Sequence, residues 1–323
     1  MLLAASAARA FDFSATATTG QEMYYNIVGS AAVAVVNPGW DYYTPPTGFL
    51  SLPATVEHEG ITYQVTAIDA LAFRSCDGLT GVVVPEGVTS IGRMAFAFCT
   101  ALDSIVLPTT LTEIGSTAFT GTAYFGDGSH LTAEGLLFIG PYLVASRPSI
   151  DSAIIIPEGT LGLGNMAFYS CQLPLVTLPA SLRFIGENAF GGCPALDTVT
   201  LRATTPPALA YNSFQGVTGV VIAVPCGSGD HYQAAEYWNT MTLVELCDTT
   251  GIEDSEEATP TVVAVEGGLL VNQPEGQHCT VYDMQGHTVA TLQNSGFVPL
   301  THTGVYLVKN PLMGKARKVV FTK

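Results

Sequence analysis

Charge is what this 323-residue chain has least of. Asp, Glu, Lys and Arg make up 12% of it, about half of the roughly 25% found in an average soluble domain. The surface must therefore be built largely from Thr, Ser, Gly, Ala and Asn, a composition that suits a β-rich exported protein. Lysine is rarer still. All four lysines, Lys309, Lys315, Lys318 and Lys323, fall in the last 15 residues beside Arg317, with no acid among them. That tail carries +5 of a net charge of −16, which leaves −21 on residues 1–308. An acidic body of this size repels phosphate backbones and anionic lipid, so nucleic acid is excluded as its partner.

Long apolar runs are missing as well. No stretch reaches the roughly 18 residues of a membrane-spanning helix. Motifs that carry chemistry are absent too. The six histidines, His58, His130, His231, His278, His287 and His302, are nowhere spaced to put two ligands on one helix face. There is no nucleophile elbow, phosphate loop or Ca²⁺ loop. The nearest approach to a chelating cluster, "GDGSH" at 126–130, reads as a polar turn. The chain is read as non-enzymatic, with no catalytic residue, cofactor or metal.

What is present is a period. "SIGRMAF" ends at Phe96, and related stretches end at Phe73, Phe119, Phe168, Phe190 and, in a worn copy, Phe214, at spacings of 23, 23, 49, 22 and 24. The long gap holds two repeat lengths, with residues 120–150 filling one as a decorated coil. After each Phe comes a strand pattern, as in Leu79-x-x-Val82-x-Val84-Pro85, Leu102-x-x-Ile105-x-Leu107-Pro108 and Leu173-x-x-Val176-x-Leu178-Pro179. Alternate side chains point inward, and proline closes the strand because it cannot donate to the next ladder bond. Gly92, Gly115 and Gly186 are expected to permit a tight turn. One unit of 23 residues cannot bury this much apolar surface alone; stacked neighbours can. The expected fold is mainly β, a right-handed leucine-rich repeat solenoid of about seven coils.

The unit Ile-Gly-x-x-Ala-Phe-x-x-Cys-x-x-Leu-x-x-Ile-x-Leu-Pro resembles the BspA-like leucine-rich repeat family (the LRR 5 type) of bacterial surface proteins, over roughly residues 60–245. The resemblance implies adhesion or binding of a host or neighbouring-cell protein, ranked above a glycan. "LRATTPPALAYNSF" and the residues after it are similar to the family's closing unit. Candidate partner-binding residues are those that face outward from the strands: Thr80, Val83, Asp103, Ser104, Val106, Ile155, Thr177, Asp197, Thr198 and Thr200. The same β-branched residues also simply suit strands. A structural spacer or envelope protein and a carbohydrate-binding accessory are the rival readings.

Cys76, Cys99, Cys171 and Cys193 each follow a repeat Phe by three residues. One thiol per coil does not converge four ligands on a metal, so these cysteines, like Phe73, Phe96, Phe119, Phe168 and Phe190, are assigned to structure. Cys226 and Cys247 lie outside the register, and the sequence leaves open whether they form a disulfide. Cys279 is the odd one out, expected to be buried in the last domain.

Five regions are expected. Residues 1–10 read as a signal-peptide remnant or an ordinary Ala-rich start. Residues 11–60 form an N-terminal β cap, whose Tyr24, Tyr25, Trp40, Tyr42 and Tyr43 either pack beneath it or offer a carbohydrate platform. The solenoid with its closing unit spans 61–247 and an acidic linker 248–261. Residues 262–323 alternate like a β-sandwich of Ig-like type. This last segment resembles the sorting domain of type IX secretion, through "VYDMQG", "GVY" and a basic final strand, although "LTHTGVY" departs from the family's L-P-x-G-x-Y. An accessory domain that plays no part in sorting is the alternative. The resemblance implies contact with secretion machinery and a secreted or outer-surface location on a Gram-negative bacterium. A monomer is expected.

Overall fold

The computed structural model describes residues 11–39, 44–126, 128–247, 261–265, 268–272, 279–283, 287–293, 296–302, 304–309 and 317–321. The expected signal remnant, nearly all of the linker, and Trp40, Tyr42 and Tyr43 lie outside them.

The repeats stack as a β-solenoid of about eight turns with two parallel ladders. The first ladder is made by the strands that the Leu pattern marks. Gly48–Ser51, Leu79–Val83 and Ser104–Val106 form one block, with Leu50, Val82 and Ile105 in register. Ile154–Ile155, Leu175–Leu178, Thr198–Leu201, Val221–Pro225 and Thr242–Leu246 form the other, with Val176, Val199, Ile222 and Leu243 in register. Between the blocks the decorated coil carries a short helix, Ala123–Gly126, and an antiparallel hairpin, Leu136–Ile139 with Tyr142–Ser146. The second ladder runs through Ile68, Ile91 and Ile114, and then through Leu163, Ile185 and Leu209.

The expected seven turns become eight because Gly48–Ser51, in the segment assigned to the flank, joins the ladder. That strand, "GFLS", lacks the Leu pattern and is recruited by its neighbour. The flank begins as an antiparallel meander, Phe13–Thr16, Glu22–Gly29 and Ala32–Val36, whose last strand pairs in parallel with Ile61–Ile68. Tyr24 and Tyr25 are buried in it. They present no open aromatic platform.

Every repeat Phe is fully enclosed, and the rings stack from coil to coil. Phe96 lies 5.0 Å from Phe73 and 5.4 Å from Phe119, with nearly parallel planes. Phe190 lies 5.3 Å from Phe168 and 5.1 Å from Phe214. Offset stacking of this kind adds about 1 kcal/mol per pair beyond area burial.

The repeat glycines serve a different purpose from the expected turn. Gly92, Gly115 and Gly186 do not take a left-handed conformation. A Cβ on Gly92 would stand 2.4 Å from the Ala70 nitrogen, and one on Gly115 2.4 Å from the Arg93 nitrogen. Glycine is required because consecutive coils touch backbone to backbone there. The positive φ falls two residues later, on Met94, Thr117, Met166 and Asn188, and again on Phe98. Met94 and Phe98 are held there by N–H bonds to the carbonyls of Ser116 and Thr120 in the next coil.

The described part of 261–321 forms two antiparallel sheets. Thr261–Val265, Gly268–Asn272 and Gly296–Pro299 make one; Thr288–Leu292, Cys279–Tyr282, Gly304–Lys309 and Arg317–Phe321 make the other. They share a core of Leu269, Val271, Val298, Cys279, Val281, Val308 and Phe321.

Candidate partner-binding face

Alternation along each strand of the first ladder sends Val82, Ile105, Val176 and Val199 toward the interior and their neighbours outward. Parallel pairing then lines the outward residues up from coil to coil. Ile155, Thr177, Thr200, Ala223 and Val244 form one row, and Leu175, Thr198, Val221 and Thr242 another. Val83 stands level with Val106 in the first block.

The ten predicted residues separate into two groups. In the first half of the face Val106 is 51% and Ile155 59% exposed, Thr80, Asp103 and Ser104 are exposed, and Val83 is half-buried. Phe49, on the unanticipated first strand, adds a ring that is 51% exposed. In the second half Thr177 is 9% and Thr198 1% exposed, and Leu175, Val221 and Ala223 beside them are buried as well. Thr177 and Thr198 therefore do not offer the open surface expected of them. Thr200 is half-buried and Asp197 is exposed at the edge of the covered area.

Asp103 is less free than its sequence position suggests. Its carboxylate meets His130 Nε2 at 3.1 Å, and the His130 ring stacks on Tyr124 with centroids 3.8 Å apart. The Tyr124 hydroxyl donates to the Phe138 carbonyl at 2.8 Å. Burial, and then the Asp103 charge, raises the pKa of that hydroxyl above its ordinary value. The "GDGSH" turn thus fastens the decorated coil to the strand face through its histidine.

The repeat cysteines lie in the turns that lead into the strands and are wholly buried. Cys99 Sγ donates to the Phe73 carbonyl and Cys193 Sγ to the Phe168 carbonyl, each at 3.0 Å. Cys171 Sγ lies 3.2 Å from Ser146 Oγ. Desolvation pushes the Cys193 thiol up to about 11, so it is neither a nucleophile nor a ready metal ligand at neutral pH. Cys226 and Cys247 are bonded to each other. They account for two of the three members of the one His, Cys, Asp and Glu cluster found among the described residues, with Glu245. No metal site remains there.

Residues 60–126 and 138–222 match the model of the BspA type leucine rich repeat region, in six copies. Over those residues the chain is similar to the BspA type leucine rich repeat family. A leucine-rich repeat protein of T. pallidum is 26% identical, over 55% of this chain and 68% of its own, with a TM-score of 0.31. One from Bacteroides ovatus is 19% identical over 70% of this chain and 75% of its own, at 0.27. A leucine rich cell surface protein of Faecalibacterium prausnitzii is 18% identical over 74% of this chain and 96% of its own, at 0.24. A search of curated proteins returns no match. The face described above belongs to the repeat region, and the strands of 261–321 lie outside the matched residues. Among the described residues, no helix is long and apolar enough to cross a membrane.

Proposed function

We propose that this is an exported, surface-displayed, non-enzymatic protein that binds a protein partner through the open half of its strand face. The observation that carries the reading is three large apolar side chains, each more than half exposed, on the strands of the first ladder: Phe49 and Val106 in neighbouring rows of the first block, and Ile155 on the first strand of the second. Single exposed apolar residues are ordinary, but several large ones on the outward side of neighbouring strands are what interfaces use. Ser104, Thr80 and Asp103 supply a polar rim with acidic charge, which suits a partner with an apolar centre and basic edges. The bonded Cys226 and Cys247 favour an oxidising location outside the cytoplasm.

On this reading the N-terminal meander caps the first coil, and the two C-terminal sheets are an Ig-like sandwich that serves sorting by a type IX route. Fractionation of cells that express the chain with and without residues 252–323 tests the sorting role, which unchanged surface exposure after truncation would reject. Partner binding is tested by presenting the protein to extracellular-matrix proteins and to a glycan array. Ile155→Asp and Val106→Asp should each weaken protein binding at least tenfold with unchanged thermal unfolding. Strong glycan binding indifferent to both substitutions would replace this reading with the carbohydrate-binding one.

A further inference from the structure

The outward side chains of a strand flanked on both sides keep part of their surface in water unless chain lies over them. Thr80 and Val83, on the middle strand of the first block, do so, whereas Leu175, Thr177, Thr198, Val221 and Ala223 do not. These five are not part of the solenoid core, which takes Val176, Val199, Ile222 and Val224 from the same strands. Something covers the second half of the face from outside.

The described residues identify part of that cover. Asp197, next to Thr198, lines a cleft of about 340 Å³ whose other walls come from the C-terminal sheets, among them Asp283, Leu300, His302 and Tyr306. A Cβ built on Gly304 would stand 3.6 Å from Asp197 Oδ2. We infer that the C-terminal strands form an intramolecular plug, seated on the outward stripe of the last coils and able to leave it. The seat is imperfect in a way that suits release. Thr200 Oγ1, two residues along the same strand from Thr198, is buried and meets no hydrogen-bond partner, a loss that water makes good where covering strands lift. The cleft also brings the carboxylates of Asp197 and Asp283 to one place, with Asp283 held by His287 at 3.1 Å. Masking shortens the usable face to its first half in the intact chain, and unmasking adds Thr177, Thr198 and Thr200 to it. The inference concerns the contact between the two parts of the chain and stands whether or not the open half takes a protein.

The test uses the full chain and thiol labelling. The five free cysteines are buried, so the chain without an introduced cysteine supplies the background. Thr198→Cys should react with a maleimide at least tenfold more slowly than Ser104→Cys, which sits on the open half. Gly304→Glu places a third carboxylate against Asp197 and should raise the Thr198→Cys rate at least tenfold while leaving the Ser104→Cys rate unchanged. A misfolded C-terminal unit would also expose Thr198, so the charge swap Asp197→Arg in the Gly304→Glu background decides the cause. Restored protection supports the plug, and continued fast labelling overturns it. Equal rates for Thr198→Cys and Ser104→Cys in the otherwise unaltered chain, or a Thr198→Cys rate that Gly304→Glu does not move, also overturn it.

Discussion

The thiol of Cys99 reaches back one coil and donates to the carbonyl oxygen of Phe73 at 3.0 Å, while Cys193 does the same to Phe168. A side chain placed once per repeat thus ties the turn of one coil to the ring-bearing residue of the last. Cys99→Ala removes a buried donor and leaves a small void. It should destabilise the chain by about 1 to 3 kcal/mol. Cys99→Ser keeps a donor of similar size and should recover part of that loss. Denaturant unfolding measures both, and a serine variant no better than alanine would assign the whole effect to packing.

The same burial makes stability depend on alkaline pH. The Cys193 thiol is raised from about 9 to about 11, chiefly by desolvation, Cys171 and Cys279 are raised by burial as well, and Cys99 is raised first by its hydrogen bond with Cys76 and then by burial. The folded chain therefore holds these protons more tightly than the unfolded chain, and its stability is complete below about pH 9. From there to about pH 11 the unfolded state sheds the Cys193 proton first, so stability falls, on the order of 2 kcal/mol from this thiol. Cys193→Ser should flatten that slope in denaturant midpoints taken from pH 8 to 11. A slope unchanged by the substitution would place the loss on other groups, such as the buried Tyr25 and Tyr232, whose hydroxyls are also raised.

The period itself could be read from the residues because each coil meets the same surroundings. Phe73, Phe96 and Phe119 must all be Phe-sized to stack, and Leu102 and Ile105 must point inward wherever the unit occurs. Gly48–Ser51 was invisible because a strand seated against a well-formed neighbour needs little pattern of its own. At Gly92 the sequence shows a glycine but not whether a left-handed φ or a neighbouring backbone demands it. The division of the strand face lay furthest out of reach. Thr198 and Ser104 hold equivalent places in their strands, but Thr198 lies on a strand paired on both sides, Ser104 on an edge, and Asp197 beside Thr198 shares a cleft with Gly304, none of which a local pattern records.

The glycine distinction can be measured. At Gly92 a Cβ would press on the Ala70 nitrogen and the carbonyl carbon of Asp69. Gly92→Ala must push two coils apart, at a cost of about 2 to 3 kcal/mol or more. Gly126 has open space and no positive φ, and Gly126→Ala should fall within about 0.5 kcal/mol of the parent. Comparable losses for the two would mean that the coils do not touch at Gly92.

The ring column should respond in the same units but locally. Phe96 is enclosed between Phe73 and Phe119, so Phe96→Ala should cost about 3 to 5 kcal/mol. Contacts in a solenoid run only to neighbouring coils. Amide exchange should therefore quicken around Phe73 and Phe119 and stay slow around Phe190. Uniform loosening of the whole chain would show instead that the two aromatic columns unfold as one unit.

Reducing the Cys226–Cys247 bond loosens the other end. The bond closes a loop of 21 residues in sequence separation that holds the helix Gly229–Ala234 and the buried Trp238, whose Nε1 donates to the Pro207 carbonyl at 2.7 Å. It also joins the ends of the last paired strands, Val221–Pro225 and Thr242–Leu246. Loop entropy assigns it about 3 kcal/mol, and the final strand has a parallel neighbour on one side only. Replacing both cysteines with serine should speed amide exchange in 242–246 by at least tenfold and leave the coils around Phe96 untouched. Unaltered exchange in 242–246 would mean that the packing of Trp238 and Tyr232 alone holds the end of the solenoid closed.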